Sequence, residues 1–496
     1  MLDNFDFRSG RNTSIPANSL KYSSMPIIVP SRLLICALTL PLVLGVRSGL
    51  TAADSPRKHV VSPRVFGLDA EIRSVTPGRG ERVVTAGTDG SSTVGLVHVD
   101  LGGDKIVMLP DGRLVARSAA DCKPTERPFE AADKERLAAD LLRDLPGFKT
   151  QETRRYLYVY NTSEEFALAT SRILETMFPG VVAHAESQRI EVSKPQVPLV
   201  AIMFRNERDF QNYRRMPEGI VAYYEPVSNR IVMYEKSTAG AVKPELAIQQ
   251  SLSTIAHEGA HQILHNIGVQ KRLSVWPMWL SEGLAEYYAP TSTGKRLRWK
   301  GAGQVNDMRM YELEQYIKSR TADSPDGDMV RQTVIAGRLT STGYAAAWSL
   351  THYLAKSRRV EFNNYVREVS QLGPLETFGT NVGRGTNPEN LALFQQTFGD
   401  ELAEIEKRLV LHLKRQPYDD PFAEWPHFVA MLVYNNGRRQ MRDANVFHTS
   451  ELAAQWTRET VKKLPEEQQR TVQQSIRPMA NRPVAVRFVQ QWLRGN

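Results

Sequence analysis

His257-Glu258-Gly259-Ala260-His261 is followed, twenty-one positions after its second histidine, by the glutamate of Trp279-Leu280-Ser281-Glu282-Gly283-Leu284-Ala285-Glu286. On a helix, residues four apart lie on one face about 40° from each other, so His257 and His261 can turn two imidazole nitrogens toward one metal ion. Glu258 sits one step round, beside such an ion and not on it. A general base must be there to take a proton from a water that the metal activates. The neighbours predict the helix itself: Leu252, Ile255, Ala256, Gly259, Ala260, Ile263, Leu264 and Ile267 recur at helical spacing as a buried stripe, with the polar triad off its centre. Asn266 and Gly268 mark its expected end.

A catalytic zinc site takes three protein ligands and keeps one position open, so the third ligand decides the kind of site. The metzincin pattern places Gly three and His six residues after the second histidine; Leu264 and Ile267 stand there instead. His265 shares the face of His261, but three histidines along one straight helix span about 12 Å, too far to share one ion. It reads as a polar-face histidine, or one that supports a ligand from behind.

The segment Trp279 to Ala285 resembles the Trp-Leu-Asn-Glu-Gly-Phe-Ala stretch of aminopeptidase N-like enzymes. Together with the histidine motif it is similar to gluzincin-type zinc metallopeptidases of the peptidase MA-like superfamily, over roughly residues 150–375. The resemblance implies that Glu282 completes a site for one zinc ion. The linker between the two helices is about two residues longer than in the aminopeptidases, which a surface loop absorbs. Gly283 is expected to let the second helix approach the first closely. Glu286, four residues on, shares the face of Glu282, and the resemblance implies that it holds His257 from behind and fixes its tautomer. The alternative is an exposed acidic pair, against which Trp279, Leu280, Leu284 and Tyr287 argue for a packed helix whose charges need a cation. Ser341 to Leu350 resembles the tyrosine-bearing helix start of the same superfamily, which implies Tyr344 as the oxyanion donor. A core aromatic is the other reading, and His352 and Tyr287 are further candidates. No Gly-Ala-Met-Glu-Asn-like segment stands ready to capture a substrate amine, which favours an endopeptidase.

Around this centre, 496 residues with 41% hydrophobic content allow two or three domains. The expected fold class is α+β: a small mixed sheet, then a mostly helical, zincin-like metallopeptidase core, with an N-terminal β-rich module and a C-terminal helical region. Leu33 to Val46 form an apolar run behind Arg32, too short to span a bilayer comfortably, and Thr51-Ala52-Ala53 suits cleavage, so residues 1–53 read as a signal peptide, with Met25 as an alternative start. A retained anchor is the competing reading. Short strand-like runs over 54–120, a helical linker over 121–150, the gluzincin-like domain over 151–375 and a helical region over 376–496 follow. Within the third, Arg230 to Tyr234 is expected to accept an extended peptide by strand addition.

Removal of Cys36 with the leader leaves Cys122 alone, which excludes an internal disulfide and fits export to a periplasm, cell surface or medium. The net charge of +9 is spread along the chain, with dense runs at Lys295 to Lys300 and Arg438-Arg439. Nothing resembles a nucleic-acid module, so the expected partners are a peptide or protein substrate and an anionic envelope surface. The expected function is an exported zinc metallopeptidase; the alternative is a non-catalytic zinc-bearing envelope scaffold or binding protein.

Overall fold

Three apolar runs, Tyr156–Tyr160, Leu199–Phe204 and Arg230–Tyr234, set the centre of the molecule. The computed structural model describes residues 57–87, 89–236, 244–292, 297–321 and 323–495; the expected leader, Met25, Cys36, Lys295 and Arg296 lie outside the described residues. Strands so uniformly apolar suit burial on both faces, and these three lie parallel in the middle of a five-stranded sheet. Antiparallel Lys149–Glu152 and Ala222–Glu225 form its two edges. Because side chains alternate along a strand, Tyr156, Tyr158, Leu199 and Ala201 join the large core with helices Glu164–Ser187 and Pro244–Asn266. Leu157, Val159, Val200 and Ile202 face the other way, onto helices Lys134–Asp144 and Glu207–Tyr213.

This strand order corrects one expectation. Arg230–Tyr234 is paired on both sides and has no edge to offer; the edge strand is Ala222–Glu225. Which strand of this antiparallel pair lies outside depends on the parallel partner Leu199–Phe204, a long-range pairing.

The histidine helix, Pro244–Asn266, buries the apolar stripe read from its spacing, and Gly268 follows it with φ +82°. The glutamate helix is Met278–Tyr288, and it packs against Ser341–Ser357. Gly283 serves that second contact and not the approach to the histidine helix: a Cβ there would collide with Thr351 Oγ1 and lie 2.7 Å from the Ala347 carbonyl oxygen. The glycine that brings the histidine helix close to a neighbour is Gly259, against Leu174 and Met177. Helix Glu164–Ser187 runs through Pro179. An interior proline costs about 3 kcal/mol; burial of Val181 and Ala185 in the large core offsets it.

The described residues form one compact unit. The N-terminal strands, from Thr76–Pro77 to Lys123–Pro124, make a six-stranded antiparallel sheet. Its Leu101, Ile106 and Leu114 share a core with Leu273 and Leu375, and His59–Val60 pairs with Glu376–Thr377. Arg272, buried in the loop after the histidine helix, clamps this junction by donating to the carbonyls of Pro226 (2.7 Å), Gly112 (2.9 Å) and Val227 (3.0 Å). Beyond residue 420, within the region read as helical, strand His427–Asn436 is the middle of a three-stranded antiparallel sheet, flanked by Arg439–Phe447 and Gln473–Met479. The flanking strands are largely exposed and polar, so no apolar pattern announced them. Helices Ser450–Lys462 and Arg482–Arg494 accompany that sheet. The class is α+β throughout. Among the described residues no helix is long and apolar enough to cross a membrane.

Candidate metal centre

One turn of the histidine helix and one turn of the glutamate helix face each other beside the large core. His257 Nε2 lies 3.2 Å and His261 Nε2 3.5 Å from Glu282 Oε2, and the three donor atoms all fall within 4.8 Å of one another. A tetrahedral ion with bonds of 2.0–2.1 Å sets neighbouring donors about 3.3 Å apart, so the cluster has the dimensions of a zinc site. Its electrostatics ask for positive charge. Burial alone would push the Glu282 carboxyl up; the imidazoles of His261 and His257 outweigh it and hold the group well below the usual carboxylate range. At His257 burial opposes the charged form, yet Glu282, Glu286 and Glu258 together raise its pKa well above the usual histidine value. Two nitrogens and a carboxylate that stabilise added positive charge, with both Nε2 atoms turned inward, fit a divalent ion of borderline softness.

Behind His257 stands the expected carboxylate, with a support that the sequence did not announce. Glu286 is 3% exposed, and its Oε1 lies 3.2 Å from His257 Nδ1. Arg309 donates to Glu286 Oε1 at 2.6 Å and Asn306 to Oε2 at 2.9 Å, both from the start of helix Asp307–Ser319. Arg309 also donates to Glu312 at 2.7 Å, and Glu312 accepts from Ser341 at 2.8 Å, next to the helix of Tyr344. Burial raises the Glu286 carboxyl, but Arg309 and His257 bring it down to about 2, so it stays ionised. A carboxylate so placed would hold the imidazole in one tautomer with its lone pair toward an ion in the cluster. Arg309→Gln is therefore expected to weaken zinc binding about 10–100-fold, measured by competition with a chromophoric chelator. Unchanged affinity would show that Glu286 needs no such partner.

Glu258 points out of the pair. Its Oε2 accepts the backbone N–H of Tyr224 at 2.7 Å, from the edge strand Ala222–Glu225. Tyr224 N–H therefore points away from the neighbouring strand, and by alternation Ala222 turns its peptide groups outward as well. Ala222, Thr254, His257, Glu258, Arg309 and Tyr344 line a cleft of about 490 Å³. The Tyr344 ring lies 6.1 Å from the His257 ring and 5.3 Å from the Arg309 guanidinium. The charge of Glu282, then burial, pushes its hydroxyl far above the usual tyrosine range, which keeps it a proton donor.

The remaining candidates lie elsewhere. His265 stacks on Tyr224 at 5.3 Å, and burial lowers its pKa to about 3. Tyr287 packs against the rings of His184 and Tyr288. His352 is 1% exposed and bonds His412 across 3.0 Å, Nδ1 to Nε2. Burial first, then His412, lowers its pKa from 6.5 to about 4. The unfolded chain takes this proton first, so the contribution to stability is complete above about pH 6.5 and is lost as the pH falls toward 4. Thermal melts at pH 7.5 and 5 should show that loss, and His352→Gln should shrink it, by at most about 2 kcal/mol. An equal loss in the variant would assign the acid lability to other groups.

Fold and site together define an α+β protein in which a His-His-Glu donor cluster and a separate glutamate sit beside the edge strand Ala222–Glu225 of the central sheet. Residues 251–376, from within the histidine helix to just past the glutamate, arginine and tyrosine helices, match a family whose description reads "Protein of unknown function (DUF1570)". No curated protein matches the chain.

Proposed function

We propose that this protein is an exported zinc-dependent metallopeptidase that cleaves within peptide chains. The convergence of His257 Nε2, His261 Nε2 and Glu282 Oε2 at tetrahedral spacing, with Glu258 free of the cluster and facing the cleft, carries the reading. Zinc held by these three residues would acidify a water and polarise a carbonyl. Glu258, held in place by the Tyr224 N–H, would take the water's proton and return it to the leaving amine. Tyr344, protonated, would donate a hydrogen bond to the oxyanion. The outward peptide groups of Ala222 would align the substrate backbone as an added strand, which recognises any extended peptide and leaves selection to the cleft walls. Export is supported by the apolar run before Ala53 and by a mature chain whose one cysteine, Cys122, is buried.

The test is cleavage of a broad peptide library by purified protein reloaded with zinc, with mass spectrometry locating the cut bonds. Internal cuts that disappear on chelation and return with zinc are expected. Stoichiometric zinc without any cleavage would favour the scaffold reading.

A further inference from the structure

The C-terminal region, where no chemistry was read from the sequence, contains a second convergence of metal-ligating side chains. Asp420, His427 and His448 bring one donor atom each within 4.8 Å of one another. They lie where the C-terminal sheet meets helix Asp307–Ser319: Asp420 in the loop before the sheet, His427 at the first position of its middle strand, His448 just past Arg439–Phe447. All three are deeply buried, with side chains 3%, 0% and 7% exposed. His448 Nε2 is 3.0 Å and His427 Nε2 3.6 Å from Asp420 Oδ2, bracketing the spacing of about 3.3 Å that a tetrahedral zinc imposes.

Hydrogen bonding fixes which atoms are free. His427 Nδ1 lies 2.7 Å from the Trp425 carbonyl oxygen, which can only accept, so Nδ1 carries the hydrogen and Nε2 the lone pair. That Nε2 is fully buried and has no hydrogen-bond partner. Gln315 Nε2 lies 2.8 Å from His448 Nδ1, an arrangement that leaves Gln315 Oε1 buried and unpartnered too. Turning the Gln315 amide over would let Oε1 accept from His448 Nδ1–H and free the second Nε2 for the same point in space. A cation there gives His427 Nε2 the partner it lacks, an orphan that otherwise costs about 1–3 kcal/mol. Asp420 is held in place for the task, since Oδ1 accepts from Phe422 N–H at 2.8 Å and Oδ2 from Arg482 at 2.6 Å.

We propose that Asp420, His427 and His448 form a second divalent-metal site, taking zinc or a metal of similar softness, that ties the loop before the C-terminal sheet to its middle strand and to the segment just past Arg439–Phe447, with Gln315 of helix Asp307–Ser319 hydrogen-bonded to His448 beside it. That helix also supplies Arg309 and Asn306 to Glu286 behind the cleft. The site binds more weakly than the cleft. Arg482 shares the oxygen that the ion would use, and although Glu314 partners Arg482 at 2.9 and 3.0 Å, the carboxylate excess around the cleft cluster has no counterpart here.

The full-length protein, stripped with chelator and dialysed against micromolar free zinc, is expected to hold two zinc ions per chain. A chelator titration should remove them in two steps. His448→Gln, His427→Gln and Asp420→Asn should each hold one, and so should His261→Ala, which removes the cleft ion alone. The wild-type count needs no variant to fold, and His448→Gln decides should the fully buried His427 prove intolerant. One zinc in the wild type that is lost in His261→Ala, or two zincs retained by all three C-terminal variants, would overturn the second site while leaving the first. One zinc retained in His261→Ala and lost in His448→Gln would uphold it even if the cleft reading failed.

Discussion

Glu258→Gln is expected to lower kcat/KM on a cleaved peptide by about 10³-fold, and at least 10², while zinc content stays that of the wild type. The substitution keeps size and shape, and the new amide oxygen can still accept the Tyr224 N–H that Glu258 Oε2 now accepts at 2.7 Å. It removes only the capacity to take and return a proton that the proposed mechanism assigns to Glu258. A loss of that size is about 4 kcal/mol of transition-state stabilisation, far more than the hydrogen bond to Tyr224 contributes. Zinc retention follows from position, because the three donors converge without Glu258. Full activity in the variant would end the mechanism, whereas loss of zinc along with activity would make Glu258 a ligand or a prop.

Removing a donor acts on the ion instead. His261→Ala and Glu282→Ala should each weaken zinc in the cleft by more than the 10–100-fold expected of Arg309→Gln, because a ligand is lost and not its support. The heat-stability readout is a difference within each protein. Zinc at a thousand times its dissociation constant stabilises the folded chain by about 4 kcal/mol, and most of that increment should vanish in both variants. The metal-free baselines are free to move either way, since Glu282 is itself a buried carboxylate partnered by two imidazoles. A zinc-dependent rise in melting temperature equal to that of the wild type would remove His261 and Glu282 from the site.

Much of the cleft was readable because its parts are local. A pair of histidines four apart, with a glutamate beside the first, needs only helical geometry to converge, and the apolar stripe from Leu252 to Ile267 states which face is buried. Glu282 and Glu286 share one face of a second short helix for the same reason. Arg309 and Asn306 were not readable, since nothing within their own helix marks them as partners of a carboxylate some twenty residues earlier in the chain. The misassigned roles of Gly283 and of strand Arg230–Tyr234 have the same origin. A glycine signals a close approach but not to whom, and a strand signals pairing but not how many partners it will find.

The C-terminal cluster is the extreme case. Asp420, His427 and His448 are separated by a loop and a hairpin, so their spacing carries no period that a motif could capture; the register of Phe428 with Phe447 closes the distance. By itself the sequence determined the α+β class, the histidine and glutamate helices and the polar groups that share each helical face, because those follow from periodicities of 2 and 3.6 residues. Only the tertiary structure decided which strand edge lies open beside Glu258, which cation stands behind Glu286 and which buried imidazoles share a carboxylate. Those are meetings between segments far apart in the chain, and they are settled by how the sheet orders its strands and how the helices pack.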